Sequence, residues 1–261
     1  MPIDLEAAAC IFASMSPEGR AAVYADLKAK VEYEKARNSI LQYYPETGLL
    51  RRELYAKHME FFAAGVFHQE RAFIGGNRTG KTHCVCYEAT LHMLGKYPKW
   101  WIGRRFDRPV TAWLAGEDAK AVRESLQEKM LGRPGSYGSG MVPGDQLKEV
   151  RPRAGVADTI DFFNVQHASG KKSRAVFKAY EQGRESFQSS QVDIIVLDEE
   201  PGQDIYTEAL TRTLSTKPGQ PSGMIMASFT PLRGLSGLVL QFLPGGRLPT
   251  TPEERKAAWG W

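Results

Sequence analysis

Apolar and polar positions along the chain follow two grammars. In SPEGRAAVYADLKAKVEYEKARNSILQYY, residues 16–44, the positions Val23, Leu27, Val31, Ile40 and Leu41 form a helical stripe among charges. Ser16 suits the N-cap, Pro17 the first helical position, and Glu18 the positive end of the helix dipole. PETG at 45–48 breaks this helix, and a second amphipathic stretch runs from about Arg51 to Ala64. Residues 1–64 therefore read as a helical N-terminal region.

From Arg71 the pattern changes to strand–helix alternation over a domain spanning residues 65–245. RAFIG (71–75) predicts a strand, and residues 80–95 a helix apolar on most of its surface. VTAWLAG (110–116) predicts the next strand, and EDAKAVRESLQEKML a helix on which Val122, Leu126 and Met130 recur every fourth residue. Residues 132–158 hold six glycines and three prolines, which predicts a long loop, disordered or functional. TIDFFNV (159–165), RAVFKAY (174–180), VDIIVLDEE (192–200) and GMIMASF (223–229) predict further strands, with a helix near 203–212. Such alternation argues for an α/β three-layer sandwich around a mainly parallel sheet.

Composition changes this picture little. With 261 residues, 42% hydrophobic and 25% charged, the chain suits one large globular domain, with or without an appendage. A net charge of +4 is compatible with a polyanionic partner without identifying one. Cys10, Cys84 and Cys86 make no disulfide framework, pointing to a reducing compartment and buried thiols. His58, His68, His83, His92 and His167 show no metal-ligand spacing. No apolar run reaches the roughly 18–20 residues of a membrane helix, and nothing resembles a signal peptide. The expectation is a soluble, intracellular protein without a membrane partner.

Chemistry enters at AFIGGNRTGKTHC, residues 72–84. Gly75, Gly76, Asn77, Arg78, Thr79, Gly80, Lys81 and Thr82 satisfy G-x-x-x-x-G-K-[ST], between a predicted strand and a predicted helix. Glycines let the backbone wrap phosphate oxygens closely, and the helix N-terminus adds partial positive charge. Lys81 is expected to reach the β- and γ-phosphates of ATP, and the Thr82 hydroxyl to ligate Mg2+. The fold expectation sharpens to a P-loop NTPase of the ASCE type.

The stretch DIIVLDEEP separates the remaining possibilities. Ile194 to Leu197 suits a central strand buried on both faces, which sets Asp198 at its C-terminal end, where open α/β sheets bind ligands. Asp198 is expected to hold magnesium and Glu199 to deprotonate the attacking water, with Glu200 the alternative base. Ser228 and Thr230, in SFTPLRG, emerge at the same sheet edge, within reach of the γ-phosphate or the hydrolytic water.

These segments, in this order, resemble the ATPase domain of the large terminase subunit of tailed bacteriophages. GGNRTGKT, VDIIVLDEEP and SFTPLRG correspond to the family's Walker A, Walker B with catalytic glutamate, and coupling motif. YPKWWIGRRFDRP and HASGKKSRAVFKAYEQGRESFQSSQVD are also similar to stretches of the family, so the likeness covers about residues 44–235. The resemblance implies a motor that uses ATP to thread double-stranded DNA through the portal protein into a procapsid, in the cytoplasm of an infected bacterium. It implies a small terminase subunit as partner and a homo-oligomeric ring, with a monomer compatible with the isolated chain. Arg78 matches the arginine many terminases carry inside the P-loop. Where many carry a second arginine ahead of Walker B, for a neighbour's active site, this chain has Gln188, and Arg184 is the nearest candidate. The family's nuclease is not expected here: residues 246–261 read as the start of a linker toward it, and the chain as a fragment.

Three alternatives stay open at the level of sequence. They are a P-loop kinase, disfavoured by Glu199; a DNA helicase or translocase; and a nucleotide-gated assembly module with little turnover alone. Arg104, Arg105, Arg151, Arg153, Lys171, Lys172 and Arg174 are candidate contacts to the DNA backbone, and Tyr55, with residues 51–61, to the adenine base.

Overall fold

A computed structural model describes residues 5–37, 39–188, 190–215 and 221–259. Helices α1 (Leu5–Ser14) and α2 (Pro17–Arg37) open the chain, and the Ser16 hydroxyl accepts from the Gly19 amide at 3.1 Å, as an N-cap does. The apolar stripe on α2 is uncovered: Leu27 and Val31 are exposed, whereas Ile40 is buried beyond the helix end. The side chain of Leu41 lies outside the described residues. Helix α3 (Ala56–Ala64) follows and packs its Phe61 and Phe62 into the main core.

The strands are β1 (Glu70–Ile74), β2 (Thr111–Gly116), β3 (Leu147–Pro152), β4 (Ile160–Gln166), β5 (Lys172–Ala179), β6 (Ile194–Asp198) and β7 (Met224–Phe229). They form one sheet in the order β1-β7-β6-β2-β5-β4-β3. The five from β1 to β5 in that order are mutually parallel; β4 runs antiparallel to β5, and β3 to β4. The sheet is thus mainly parallel, as the alternation predicts. Strands β6 and β7 are buried along their whole length, which accounts for their unbroken apolar runs.

Helix α4 (Lys81–Leu94) packs on one face of the sheet with α3 and a cluster of aromatic rings. Helices α7 (Gln203–Thr213) and α8 (Gly237–Gln241) cover the other face, where Tyr206 and Phe229 are fully buried. Helix α9 (Pro252–Trp259) ends the described chain.

Between β2 and β3, α5 (Ala119–Val122), a π-helical turn (Arg123–Gln127) and α6 (Glu128–Leu131) form a continuous rod. Val122, Leu126 and Met130 are all buried. On an unbroken α-helix a four-residue spacing drifts about 40° per step. The wider π turn reverses that drift and returns the stripe to one face.

Residues 132–158 differ from expectation. They contain strand β3, and the glycine-rich part folds back on α6, with the amides of Gly138, Met141 and Val142 donating to the carbonyls of Leu131, Lys129 and Met130 at 2.7–2.8 Å. A Cβ on Gly140 would stand 2.5 Å from the Gly132 nitrogen, so glycine here serves close backbone approach and caps a helix.

Candidate functional site

Parallel register assembles the site. Strand β1 pairs with β7, placing Ile74 beside Phe229, and β6 pairs with β7, placing Asp198 beside Ser228. All three strands end together, so the loop after β1, the acid after β6 and the hydroxyls after β7 open on one edge. Lys81, distant from Asp198 in sequence, shares that edge with it.

Residues 75–80 link β1 to α4 through a turn in which Arg78 (φ 62°) and Gly80 (φ 80°) take left-handed conformations. Gly80 is required twice over, since an added Cβ would also stand 3.0 Å from the His58 ring. At Gly76 an added Cβ would meet nothing within 4 Å. The protein's own packing does not demand a glycine there.

The Lys81 ammonium donates to the carbonyls of Gly75 (3.0 Å) and Gly76 (2.7 Å) and to the Thr230 hydroxyl (3.1 Å). Burial pushes its pKa down, while the charges of Glu199 and Asp198 act in the opposite sense. Thr230 passes a hydrogen bond on to the Asn77 side chain at 2.9 Å, tying the loop to the end of β7.

Asp198 is 6% exposed and accepts three hydroxyls: Thr82 (2.9 Å) and Ser228 (2.8 Å) on Oδ1, and Ser125 (2.6 Å) on Oδ2. Among the described residues no lysine, arginine or histidine forms an ion pair with it. Glu199 follows in a left-handed conformation (φ 63°), with its amide donating to the Ser228 carbonyl at 2.9 Å. The buried Tyr180 hydroxyl holds this turn from the end of β5, 3.1 Å from the Asp198 carbonyl and 3.2 Å from that of Glu199. Burial raises the Glu199 carboxyl pKa, and the Asp198 charge raises it further; Lys81 and the Thr230 amide act against both.

A cavity of about 220 Å³ is lined by Asn77, Arg78, Thr79, Lys81, Thr82 and Glu199, together with Gly80, His83 and Lys129. Glu199 faces it; Glu200 does not, and instead turns inward, where its Oε2 has no hydrogen-bond partner among the described residues. Arg78 lines the cavity and is exposed. Arg184 is not brought to it: its Nε bonds Glu208 of α7 at 2.9 Å, and its side chain is 57% exposed. Tyr55 packs against Tyr44 and His58 behind the loop, outside the cavity lining.

Four residues at or beside the site carried no sequence signal of their own. Ser125 and Lys129 lie in a helix legible only by its packing stripe, Tyr180 ends a strand, and His58 backs the loop with Nε2 3.2 Å from the Thr79 carbonyl. Cys84 and Cys86 are buried, with burial raising both thiol pKa values. Among the described residues no group of three or more His, Cys, Asp or Glu is placed to hold a metal, and no helix is long and apolar enough to cross a membrane.

Several candidate DNA contacts are engaged within the protein. Arg104 bonds the Ser222 carbonyl at 2.8 Å and stacks on Phe106, Arg105 stacks on Tyr97, and Arg174 lies over Phe162. Arg151, Lys171 and Lys172 are exposed, and Arg153 is half-buried.

A sequence model of the family described as terminase large subunit, T4likevirus-type, N-terminal, matches residues 72–258, which span the loop, the Asp198–Glu199 strand and β7. The chain belongs to this terminase family. It is 35% identical over 212 residues to the terminase large subunit of Salmonella phage P22, a match covering 72% of this chain and 41% of that protein. The chain thus spans about two fifths of the length of that relative. Among solved structures it is similar to the large terminase ATPase domain of Thermus phage P74-26, at 18% identity and a TM-score of 0.43 over 67% of this chain and 63% of that one. It is also similar to the large terminase of the thermophilic bacteriophage D6E, at 14% identity and 0.45 over 69% and 38%. The sequence expectations of the large-terminase family and of an α/β fold with a mainly parallel sheet both stand.

Proposed function

We propose that this terminase domain binds and hydrolyses Mg-ATP, and that hydrolysis drives double-stranded DNA into a procapsid. The carrying observation is the convergence of Lys81, Thr82 and Asp198, with the Thr82 hydroxyl bonded directly to Asp198. In this reading the amides of residues 75–80 and the ammonium of Lys81 cradle the phosphates, Lys81 exchanging its loop carbonyls for phosphate oxygens. The donor set fits Mg2+: one carboxylate and adjoining hydroxyls, with water and phosphate oxygens completing the shell, the usual manner for a small hard cation. When bound, the metal neutralises charge on the phosphoryl group.

Glu199 faces the cavity and orients and deprotonates the attacking water. Its pKa, raised by burial and by the Asp198 charge, makes it a stronger base than an ordinary glutamate. Ser228 and Thr230 join this chemistry to β7, because Ser228 touches Asp198 and Thr230 touches Lys81. Arg78 supplies charge from the loop. Arg184, on the outer surface, acts if at all on a neighbouring subunit, so a ring of copies, the small terminase subunit and a portal belong to the same proposal. An infected bacterium's cytoplasm is the matching location.

The test is ATP hydrolysis by wild type, Lys81→Ala and Glu199→Gln, with and without duplex DNA. Glu199→Gln is expected to retain ATP binding and lose turnover by about 10²–10⁴-fold; Lys81→Ala is expected to lose binding. Loss of binding in Glu199→Gln would overturn its assignment as base. Turnover that rises with protein concentration and falls on Arg184→Ala favours the motor over a nucleotide gate.

A further inference from the structure

The rod of α5, π turn and α6 reaches the phosphate cavity with Ser125 and Lys129, the second of which the reading above does not use. Ser125 and Lys129, one turn apart, face the same way: Ser125 bonds Asp198, and Lys129 lines the cavity. The opposite side of the rod is clamped by Gln127, which is fully buried, donates to the Asp158 carbonyl at 2.7 Å and accepts from the Ile160 amide at 2.8 Å. The folded-back glycine loop holds the carbonyls of residues 129–131. The rod is therefore fixed from three sides, and Lys129 is delivered to the cavity by rigid structure.

Lys129 has no ion-pair partner among the described residues; its ammonium lies 3.3 Å from the Ser125 carbonyl, within its own helix. It is half-buried, so a charge is carried toward the cavity with no carboxylate at ion-pair distance among the described residues. His83 lines the same cavity. Position within the cavity follows from the chain. Thr82 is at the metal side, and His83 is one residue further into α4. Lys81, Thr230 and Glu199 mark the sheet side, where a terminal phosphate must lie for a water on Glu199 to attack it.

We infer that Lys129 is a further phosphate-binding cation of this site, beside Lys81 and Arg78, contacting the phosphates shared by di- and triphosphate on the α4 side of the cavity. This rests on the nucleotide-binding reading given above.

Dissociation constants for ADP and ATPγS, measured by titration calorimetry on the full chain, test it. Lys129→Met is expected to weaken both nucleotides equally, by about tenfold, the usual scale of one charge-assisted contact. Lys129→Arg is expected to recover most of that loss. Unchanged affinity, or a loss confined to ATPγS, overturns the inference. So does a loss that Arg fails to recover, which would report altered packing. Lys81→Ala in the same series separates the two levels: if wild type binds neither nucleotide, or Lys81→Ala binds like wild type, the nucleotide-binding reading itself falls and takes Lys129 with it.

Discussion

Two buried carboxylates, Glu88 on α4 and Asp198 at the end of β6, are treated differently by the protein. Glu88 is fully buried and saturated with cations and donors: both Arg71 nitrogens reach it at 2.7 and 3.0 Å, and His92 at 3.2 Å. Burial alone would raise the Glu88 pKa, but the Arg71 charge overcomes it and holds the carboxyl below its ordinary value. Asp198 is nearly as buried and receives only neutral hydroxyls. A carboxylate that ties β1 to α4 is neutralised from within the chain. One at the sheet edge is hydrogen-bonded by hydroxyls, with no ion pair among the described residues. The difference matches what the proposed function expects of a structural acid and a metal-binding one.

The largest effect should come from unbalancing the structural pair. Glu88→Gln leaves Arg71 buried without its counter-charge and is expected to lower stability by about 3–5 kcal/mol in urea unfolding; a loss under about 1 kcal/mol would remove the contrast. Next, stability should fall with acid in two stages. Burial holds the His92 pKa below normal, so the unfolded chain takes up a proton first and stability declines as pH drops through about 6.5. The depressed Glu88 pKa contributes stability above about 4.3, lost as pH falls through its lower folded value. Melting temperature against pH checks both, and in a His92→Gln chain the first stage should shrink without vanishing, since burial also lowers the pKa values of His58, His83 and His167.

A smaller effect is expected at Tyr180, whose hydroxyl supports the turn carrying Glu199. Tyr180→Phe should cost about 0.5–1.5 kcal/mol in stability, with turnover falling further than nucleotide affinity. Smallest of all, Asp198→Asn should change the stability of the nucleotide-free protein by no more than about 1 kcal/mol, since Thr82 and Ser228 can donate to the amide oxygen while the Ser125 hydroxyl turns to accept from the amide nitrogen. If Asp198→Asn proves as damaging as Glu88→Gln, the two acids are alike and the comparison fails.

Much of this site was legible in the chain because local physics dictates it. A loop that must wrap phosphate closely requires glycines in sequence, and a strand buried on both faces must be apolar until its end, which marks Asp198. Lys129, Ser125 and Tyr180 were not legible, because nothing within a few residues of each depends on its function. The glycine-rich 132–144 segment misled for a related reason. Glycine permits both disorder and close backbone contact, and only the neighbour at Gly132 tells which applies at Gly140. Arg184, chosen by its distance from Asp198 along the chain, lies on Glu208 and not at the cavity.

Short-range constraints therefore determined the α/β alternation, the phosphate loop and the identity of the sheet-edge acid, for each is a demand on adjacent residues. Tertiary structure decided the rest: that β7 lies between β1 and β6, that Glu199 faces the cavity and Glu200 does not, and that a helix from between β2 and β3 supplies Ser125 and Lys129. Those outcomes depend on strand order, and strand order is set by the simultaneous burial of both sheet faces, a condition on the whole chain that no single segment carries.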